Sequence, residues 1–258
     1  MRSTQNPSFS ARAGAAWAAL LWAIIAILTM AYAGFIVLCA IPLAAFDPKR
    51  RTAHWMATLW GMSFYLCYPS WKLRIRGRHH IRPEGAYILV ANHQSLLDIM
   101  VIYCLRRQFK WMAKDRLFRI PCFGWSLAMA GYIRLARGQY RSIRASYERA
   151  TRWVASGVSV LIFPEGRRSP TGTLGDFKSG AFKLALATGV PLVPIVIHGT
   201  WGLLPPGTWR FRRWRTVRVR VLPPVDPDPY RQLGPERFRD DVRQRIEDTL
   251  KQLARSRS

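Results

Sequence analysis

Apolar and polar positions follow two different regimes along this chain. Residues 13–46 carry no charged side chain and are mostly Ala, Leu, Ile, Val, Trp or Met. Asp47-Pro48-Lys49-Arg50-Arg51 interrupts the run, and residues 52–71 are again free of Asp, Glu, Lys and Arg. A bilayer-crossing helix needs about 20 apolar residues, so the first run exceeds one straight crossing. It is also longer than the roughly 7–15 apolar residues of a cleavable signal peptide. Two full crossings would place Lys49-Arg50-Arg51 on the side opposite Lys72, Arg74, Arg76 and Arg78, against the positive-inside tendency. A helical hairpin in one leaflet, bent at Gly34 or Pro42, keeps those clusters and Arg2 and Arg12 on the cytoplasmic side. It is favoured over one crossing followed by an interfacial helix. Trp17, Trp22, Trp55, Trp60 and Trp71, spread along the runs and near their ends, suit a membrane boundary better than two soluble core helices.

From residue 72 short apolar strands alternate with helical stretches. Lys72–Arg76 alternates polar and apolar and predicts an edge strand, and 87–91 predicts a central one. Further strands are expected at 109–113, 132–136, 158–163, 192–197 and 216–222. Helices are expected at 95–105, 118–130, 142–156, 180–188 and 235–253, with Gly157 and Gly189 as stops. Pro194 argues that its strand lies at an edge or ends there. This order predicts an α/β fold, a mixed, largely parallel sheet flanked by helices, preceded by the apolar hairpin for membrane association. The domain division is 1–71, a membrane-associated helix pair, and 72–258, the α/β domain.

Charge narrows the partners. The formal net charge is +26, of which residues 1–225 hold +25 and the remainder +1. Such a field attracts polyanions: an anionic membrane surface, phosphorylated metabolites or nucleic acid. Cys39, Cys67, Cys104 and Cys122 match no zinc or redox spacing and read as buried thiols.

Two clusters carry chemistry. Asn92-His93-Gln94-Ser95-Leu96-Leu97-Asp98 begins where the strand at 87–91 stops, the end at which α/β sheets bind ligands. A neutral histidine there can take a proton from a hydroxyl, and a carboxylate five positions on can fix its tautomer and steady its cation. With no nucleophile of its own, the pair suits an enzyme whose nucleophile is the substrate. The second cluster is Phe163-Pro164-Glu165-Gly166-Arg167-Arg168-Ser169, at the end of another buried strand. Pro164 and Gly166 force a turn, Glu165 can orient a hydroxyl or an arginine, and Arg167 and Arg168 can clamp a phosphate.

These two clusters, His-x4-Asp and then Phe-Pro-Glu-Gly-x-Arg-Ser some 65 residues later, resemble the glycerolipid acyltransferase superfamily, above all its bacterial 1-acylglycerol-3-phosphate acyltransferases. Met112-Ala113-Lys114 with Phe123-Gly124-Trp125, Gly131-Tyr132-Ile133-Arg134-Leu135-Ala136-Arg137, and Val190-Pro191-Leu192-Val193-Pro194-Ile195 extend the likeness over about residues 75–225. The resemblance implies that His93, supported by Asp98, deprotonates the sn-2 hydroxyl of a lysophosphatidate. That oxygen then attacks acyl-CoA or an acyl-carrier protein. Arg137, Glu165, Gly166 and Arg168 would shape the glycerol-phosphate pocket. Backbone amides, with Lys114, would steady the oxyanion. No metal, resident cofactor or covalent acyl-enzyme is implied, and the expected place is the cytoplasmic face of the inner membrane. Arg134 stands where the family has Phe, Ala136 where it has Asp, and Arg167 where it has Thr. These changes leave room for another lyso-lipid acceptor, such as a lyso-ornithine lipid.

Two rival classes are legible. Gly124-Trp125-Ser126-Leu127-Ala128 nearly makes a hydrolase nucleophile elbow, with Asp176 and His198 following in α/β-hydrolase order, but Ala128 replaces the last glycine. A membrane-anchored polycation binding nucleic acid fits the charge, yet no nucleic-acid module is present and none is expected as partner.

Overall fold

The computed structural model describes residues 7–43, 45–67, 71–136, 138–212 and 216–256. Its seven strands are β1 (Lys72–Arg76), β2 (Ile88–Ala91), β3 (Phe109–Lys114), β4 (Ile133–Leu135), β5 (Ser159–Ile162), β6 (Leu192–His198) and β7 (Thr216–Val221). The helices are α1 (Pro7–Leu43), α2 (Arg51–Cys67), α3 (Asp98–Tyr103), α4 (Phe123–Met129), α5 (Tyr140–Ala155), α6 (Gly180–Thr188), α7 (Thr200–Leu203) and α8 (Gly234–Arg255). The strands form one sheet in the order β1-β7-β6-β2-β5-β3-β4, parallel throughout except between β6 and β7. A largely parallel sheet must be covered on both faces, which explains why β2 and, past Ser159, β5 are apolar without alternation and fully buried.

While β1 and β7 bury one side only, the central strands send alternate residues to opposite cores. Leu89, Ala91, Leu161, Val193, Val217 and Val219 share one with α1, α2, α3 and α4. Ile88, Val90, Val160, Ile162 and Val196 share the other with α5, α6 and α8. The α/β architecture is as the pattern predicted, and β1 does lie at an edge. Helix α6 has the expected bounds and stops at Gly189, whose φ of 67° suits glycine.

Three expectations are corrected. The strand with Pro194 is interior, between β7 and β2. It tolerates proline because its register with the neighbouring chain slips by one residue, from Ile195 opposite Val221 to Leu192 opposite Val225. The missing N–H falls at this bulge, while the Pro194 carbonyl still accepts from Leu222 N at 2.9 Å. The helix expected at 118–130 is two pieces, a 3-10 turn at Asp115–Arg119 and α4, separated by Pro121 and by Cys122 with a φ of 59°. The helix expected from 95 begins at Asp98.

Helix α1 continues unbroken through Gly34 and ends at Leu43, one residue past Pro42. The chain reverses at Asp47, whose carboxylate caps α2 by accepting from Arg51 N (2.8 Å) and Thr52 N (2.7 Å). Trp60 Nε1 donates to Thr29 Oγ1 across the helix pair at 3.0 Å. One side of α1 packs through Leu21, Ile36 and Ala40. The other exposes Leu20, Ile27, Phe35, Leu38 and Ile41. Of its length, Ala15–Leu43 is long and apolar enough to cross a membrane. Transfer of each exposed large side chain into an apolar phase is worth about 1.5–3 kcal/mol.

The reversal is clamped to the α/β domain. Gln108 Nε2 donates to the Lys49 carbonyl at 2.7 Å. Fully buried Lys110 donates through Nζ to the carbonyls of Ala130 (2.7 Å) and Arg50 (3.3 Å). Burial lowers the pKa of this amine to about 7.

Candidate active site

The carboxyl end of β2 runs into a loop that curls around one carboxylate. Asp98 is wholly buried, and its Oδ2 accepts from Gln94 N (2.6 Å) and Ser95 N (2.8 Å) while lying 2.8 Å from His93 Nδ1. Asp98 N bonds Ser95 O in a tight turn at 3.4 Å and regular helical bonding starts only with Val101 N to Leu97 O at 3.0 Å, so α3 begins late. Asp98 Oδ1 is buried with no hydrogen-bond partner among the described residues. The carboxylate fixes the ring proton on Nδ1 and leaves Nε2 as the acceptor, on a ring that is 21% exposed. Phe163 stacks on the imidazole at 4.1 Å between centroids. On the far side of the loop Asn92 bonds both backbone groups of Ile197 at 2.8 Å, tying it to β6.

The Phe163–Ser169 bend meets this loop directly. Glu165 is buried, and its Oε1 accepts from His93 N at 2.7 Å while Oε2 accepts from Gly175 N at 3.0 Å. Ser169 N donates to the His93 carbonyl at 2.8 Å. Burial raises the Glu165 pKa, against the lowering effect of the two amides. Gly166 makes the turn with a φ of 72°, and a Cβ there would meet Lys178 Cε at 3.3 Å.

His93 opens on a cavity of about 260 Å³. Leu96, Trp111, Met112, Leu135, Ile143 and Tyr147 give it apolar walls, and Lys114, Arg116, Arg168 and Lys178 add positive charge. A polar groove of about 550 Å³ adjoins it, sharing Gly166, Arg168 and Lys178 and adding Glu165, Arg167 and Asp176. An apolar cavity with clustered cations beside a proton acceptor can seat an anionic head group and a chain together.

The structure therefore brings together His93, Asp98, Glu165, Gly166, Arg168 and Lys114. Arg137 lies outside the described residues, as does Arg2. Both Glu165 oxygens are engaged by backbone amides. Arg134 is 3.4 Å from the Asp115 carboxylate and sits over the Phe118 ring at 5.0 Å. Lys178, Arg116 and the stacking of Phe163 escaped sequence reasoning. Lys178 lies 12 positions past Gly166 in a loop of Gly, Ser and Thr, where nothing local marks it. The hydrolase arrangement is not assembled: Ser126 Oγ donates to Phe123 O at 2.7 Å, and His198 Nδ1 is buried without a partner among the described residues. Among those residues no three His, Cys, Asp or Glu side chains gather as a metal site.

Residues 72–198, from β1 to the end of β6, match the acyltransferase family model. Over 240 residues the chain is 30% identical to the 1-acyl-sn-glycerol-3-phosphate acyltransferase of Saccharomyces cerevisiae, covering 90% of this chain and 78% of the yeast protein. It is 38% identical over 182 residues to the chloroplastic LPAT1 of Arabidopsis thaliana, also a 1-acyl-sn-glycerol-3-phosphate acyltransferase. That match covers 70% of this chain and 51% of LPAT1, so the chain spans about half the length of this plant relative. The crystal structure of the 1-acyl-sn-glycerophosphate (LPA) acyltransferase PlsC from Thermotoga maritima superposes with a TM-score of 0.81 at 28% identity, over 94% of this chain and 97% of PlsC. Within the acyltransferase family, this chain belongs with the 1-acyl-sn-glycerol-3-phosphate acyltransferases.

Proposed function

We propose that the protein transfers an acyl chain from a thioester donor, acyl-CoA or an acyl-carrier protein, to the sn-2 hydroxyl of 1-acyl-sn-glycerol-3-phosphate, giving phosphatidate. The observation that carries this reading is the His93 ring, held by Asp98 at 2.8 Å with Nε2 left open beside the cavity. Nε2 takes the hydroxyl proton as the oxygen attacks the thioester carbonyl carbon. The tetrahedral intermediate collapses by breaking the C–S bond. The departing thiolate takes the proton back from the imidazolium, so the products are one ester and one thiol and the protein ends unchanged. Asp98 stabilises the cation formed midway.

Arg168 and Lys178, with Arg137 by resemblance, neutralise the acceptor phosphate, and the apolar wall takes a chain. Lys114 serves the developing oxyanion. Glu165 acts as a positioning residue, since its carboxylate braces the His93 backbone. Both substrates bring their own reactive groups, so the step as read calls on no resident metal or cofactor. The exposed apolar side of α1 supports attachment to a membrane, and the inner membrane's cytoplasmic face supplies both a lipid acceptor and a soluble donor. Anionic lipid suits the basic surface, and nucleic acid has no part in this reading.

The test is purified protein with a radiolabelled acyl-CoA and a panel of acceptors: lysophosphatidate, a lyso-ornithine lipid and glycerol 3-phosphate. Labelled phosphatidate as the main product supports the reading, and preferential labelling of either other acceptor overturns the head-group assignment. In Arg168→Ala the KM for lysophosphatidate should rise about tenfold or more with kcat little changed. An unchanged acceptor KM removes Arg168 from the phosphate site.

A further inference from the structure

The outer edge of the sheet carries a ladder of like charges that the proposed chemistry does not use. Along β1, Lys72, Arg74 and Arg76 are exposed while Leu73 and Ile75 turn to the core. The parallel register sets Arg74 beside Arg218 and Arg76 beside Arg220 of β7. Adjacent strands lie about 4.8 Å apart, and like charges side by side on one sheet face are destabilising. None of the five makes an ion pair among the described residues. Arg218 Nη1 donates to Leu253 O (3.4 Å) and Arg220 Nη1 to Gln252 Oε1 (3.3 Å), which anchors the inner row on the last turns of α8. Basic residues on an edge strand also guard against strand-to-strand aggregation. That need accounts for β1 alone, because β7 is an interior strand with both sides paired.

The position of the ladder selects its partner. Leu73, Ile75, Val217 and Val219, on the reverse side of the same strands, join the core that holds α1 and α2. The charged side is therefore turned away from the face that carries the apolar helix, toward water. Arg218 lies opposite His198 at the carboxyl end of β6, the same sheet edge at which His93 follows β2. Three strand spacings, about 14 Å, separate β1 from β2.

We propose that this ladder is a docking face for an acidic protein that carries the acyl chain as a thioester on a flexible arm. The inference rests on the acyltransferase reading and selects between its two donors. An acidic surface meets the five cations, relieves their mutual repulsion and is steered to the sheet edge from which an arm reaches His93. The thioester is then consumed in the same transfer step, with the carrier thiol as leaving group.

The test compares wild type with the triple variant Lys72→Gln, Arg74→Gln, Arg76→Gln, and separately with Arg220→Gln. Each is assayed with acyl-carrier protein and with acyl-CoA as donor, after thermal unfolding and circular dichroism have established that the fold is kept. The triple variant should raise the KM for acyl-carrier protein roughly tenfold or more, and Arg220→Gln should raise it less. The wild-type value should climb with ionic strength. The KM for acyl-CoA, kcat, and co-sedimentation with phosphatidylglycerol vesicles should not change. An unchanged carrier KM, or a loss of vesicle binding in its place, overturns the proposal. Wild-type turnover from acyl-CoA alone overturns the docking face and leaves the acyltransferase reading standing. No turnover from either donor overturns both.

Discussion

Glu165 separates two accounts of the site. Its sequence context, between Pro164 and Gly166-Arg167-Arg168, suggests a ligand for the acceptor. Its hydrogen bonds instead place one oxygen on His93 N at 2.7 Å and the other on Gly175 N at 3.0 Å. Consider Glu165→Gln, which has nearly the same shape. Gln offers one carbonyl oxygen and one NH2, so one of the two backbone donors must face a donor. A hydrogen bond to a charged acceptor contributes about 1.5–3 kcal/mol, and the surviving bond falls to about half strength once the charge is gone. The combined local cost is about 3 kcal/mol. At about 1.4 kcal/mol per tenfold, a loss of that size spent on the placement of His93 lowers kcat by roughly a hundredfold. Initial rates against each substrate, with thermal unfolding to check the fold, measure this. The brace account expects kcat to fall with the KM for lysophosphatidate nearly constant. A variant with normal kcat and a raised acceptor KM refutes it and returns Glu165 to direct acceptor binding.

Further predictions concern neighbouring groups. Asp98→Asn should lower kcat by about 10³–10⁴ with little change in KM. The buried amide either faces three donors or fills the Oδ1 position, where no partner waits, so a fall in Tm should accompany the lost rate. Lys110 gives a pH dependence of stability. Its folded-state pKa of about 7 lies below the roughly 10.4 of an unfolded lysine, so the unfolded chain binds more protons between those values. Stability is then fully present above the unfolded pKa and is lost as pH falls toward 7. Tm in detergent should rise across that window, and Lys110→Met should abolish the slope. A slope that survives the substitution removes Lys110 as its source.

Much of the fold was legible because burial leaves a simple trace. Strands buried on both faces run apolar without alternation, as β2 does and β5 does past Ser159; half-buried β1 and β7 alternate. What escaped depends on contacts distant in sequence or on backbone bonds that residue types do not announce. The start of α3 is delayed by a tight turn, Asp98 N to Ser95 O, that precedes the first helical bond from Val101 N to Leu97 O. Pro194 sits in an interior strand because the chain at Leu222–Val225 bulges away from it, a compensation some 30 residues downstream. In the site, the His93–Asp98 pair is local and therefore readable from spacing. The Glu165 brace joins positions 72 apart, and Lys178 reaches the cavity from a loop without apolar periodicity. Arg134, a departure from the family pattern, is accommodated by Asp115 and Phe118, a contact invisible until the strands are assembled.

The central claim is that the His93 imidazole, steadied by Asp98, activates a lipid hydroxyl toward a thioester. The direct measurement is transfer of a radiolabelled acyl group to lysophosphatidate by wild type and by His93→Ala, with both proteins matched in circular dichroism and in Tm. Labelled phosphatidate from the wild type and none above background from His93→Ala is the predicted result. Phosphatidate formed by the variant at more than a few per cent of the wild-type rate contradicts the account.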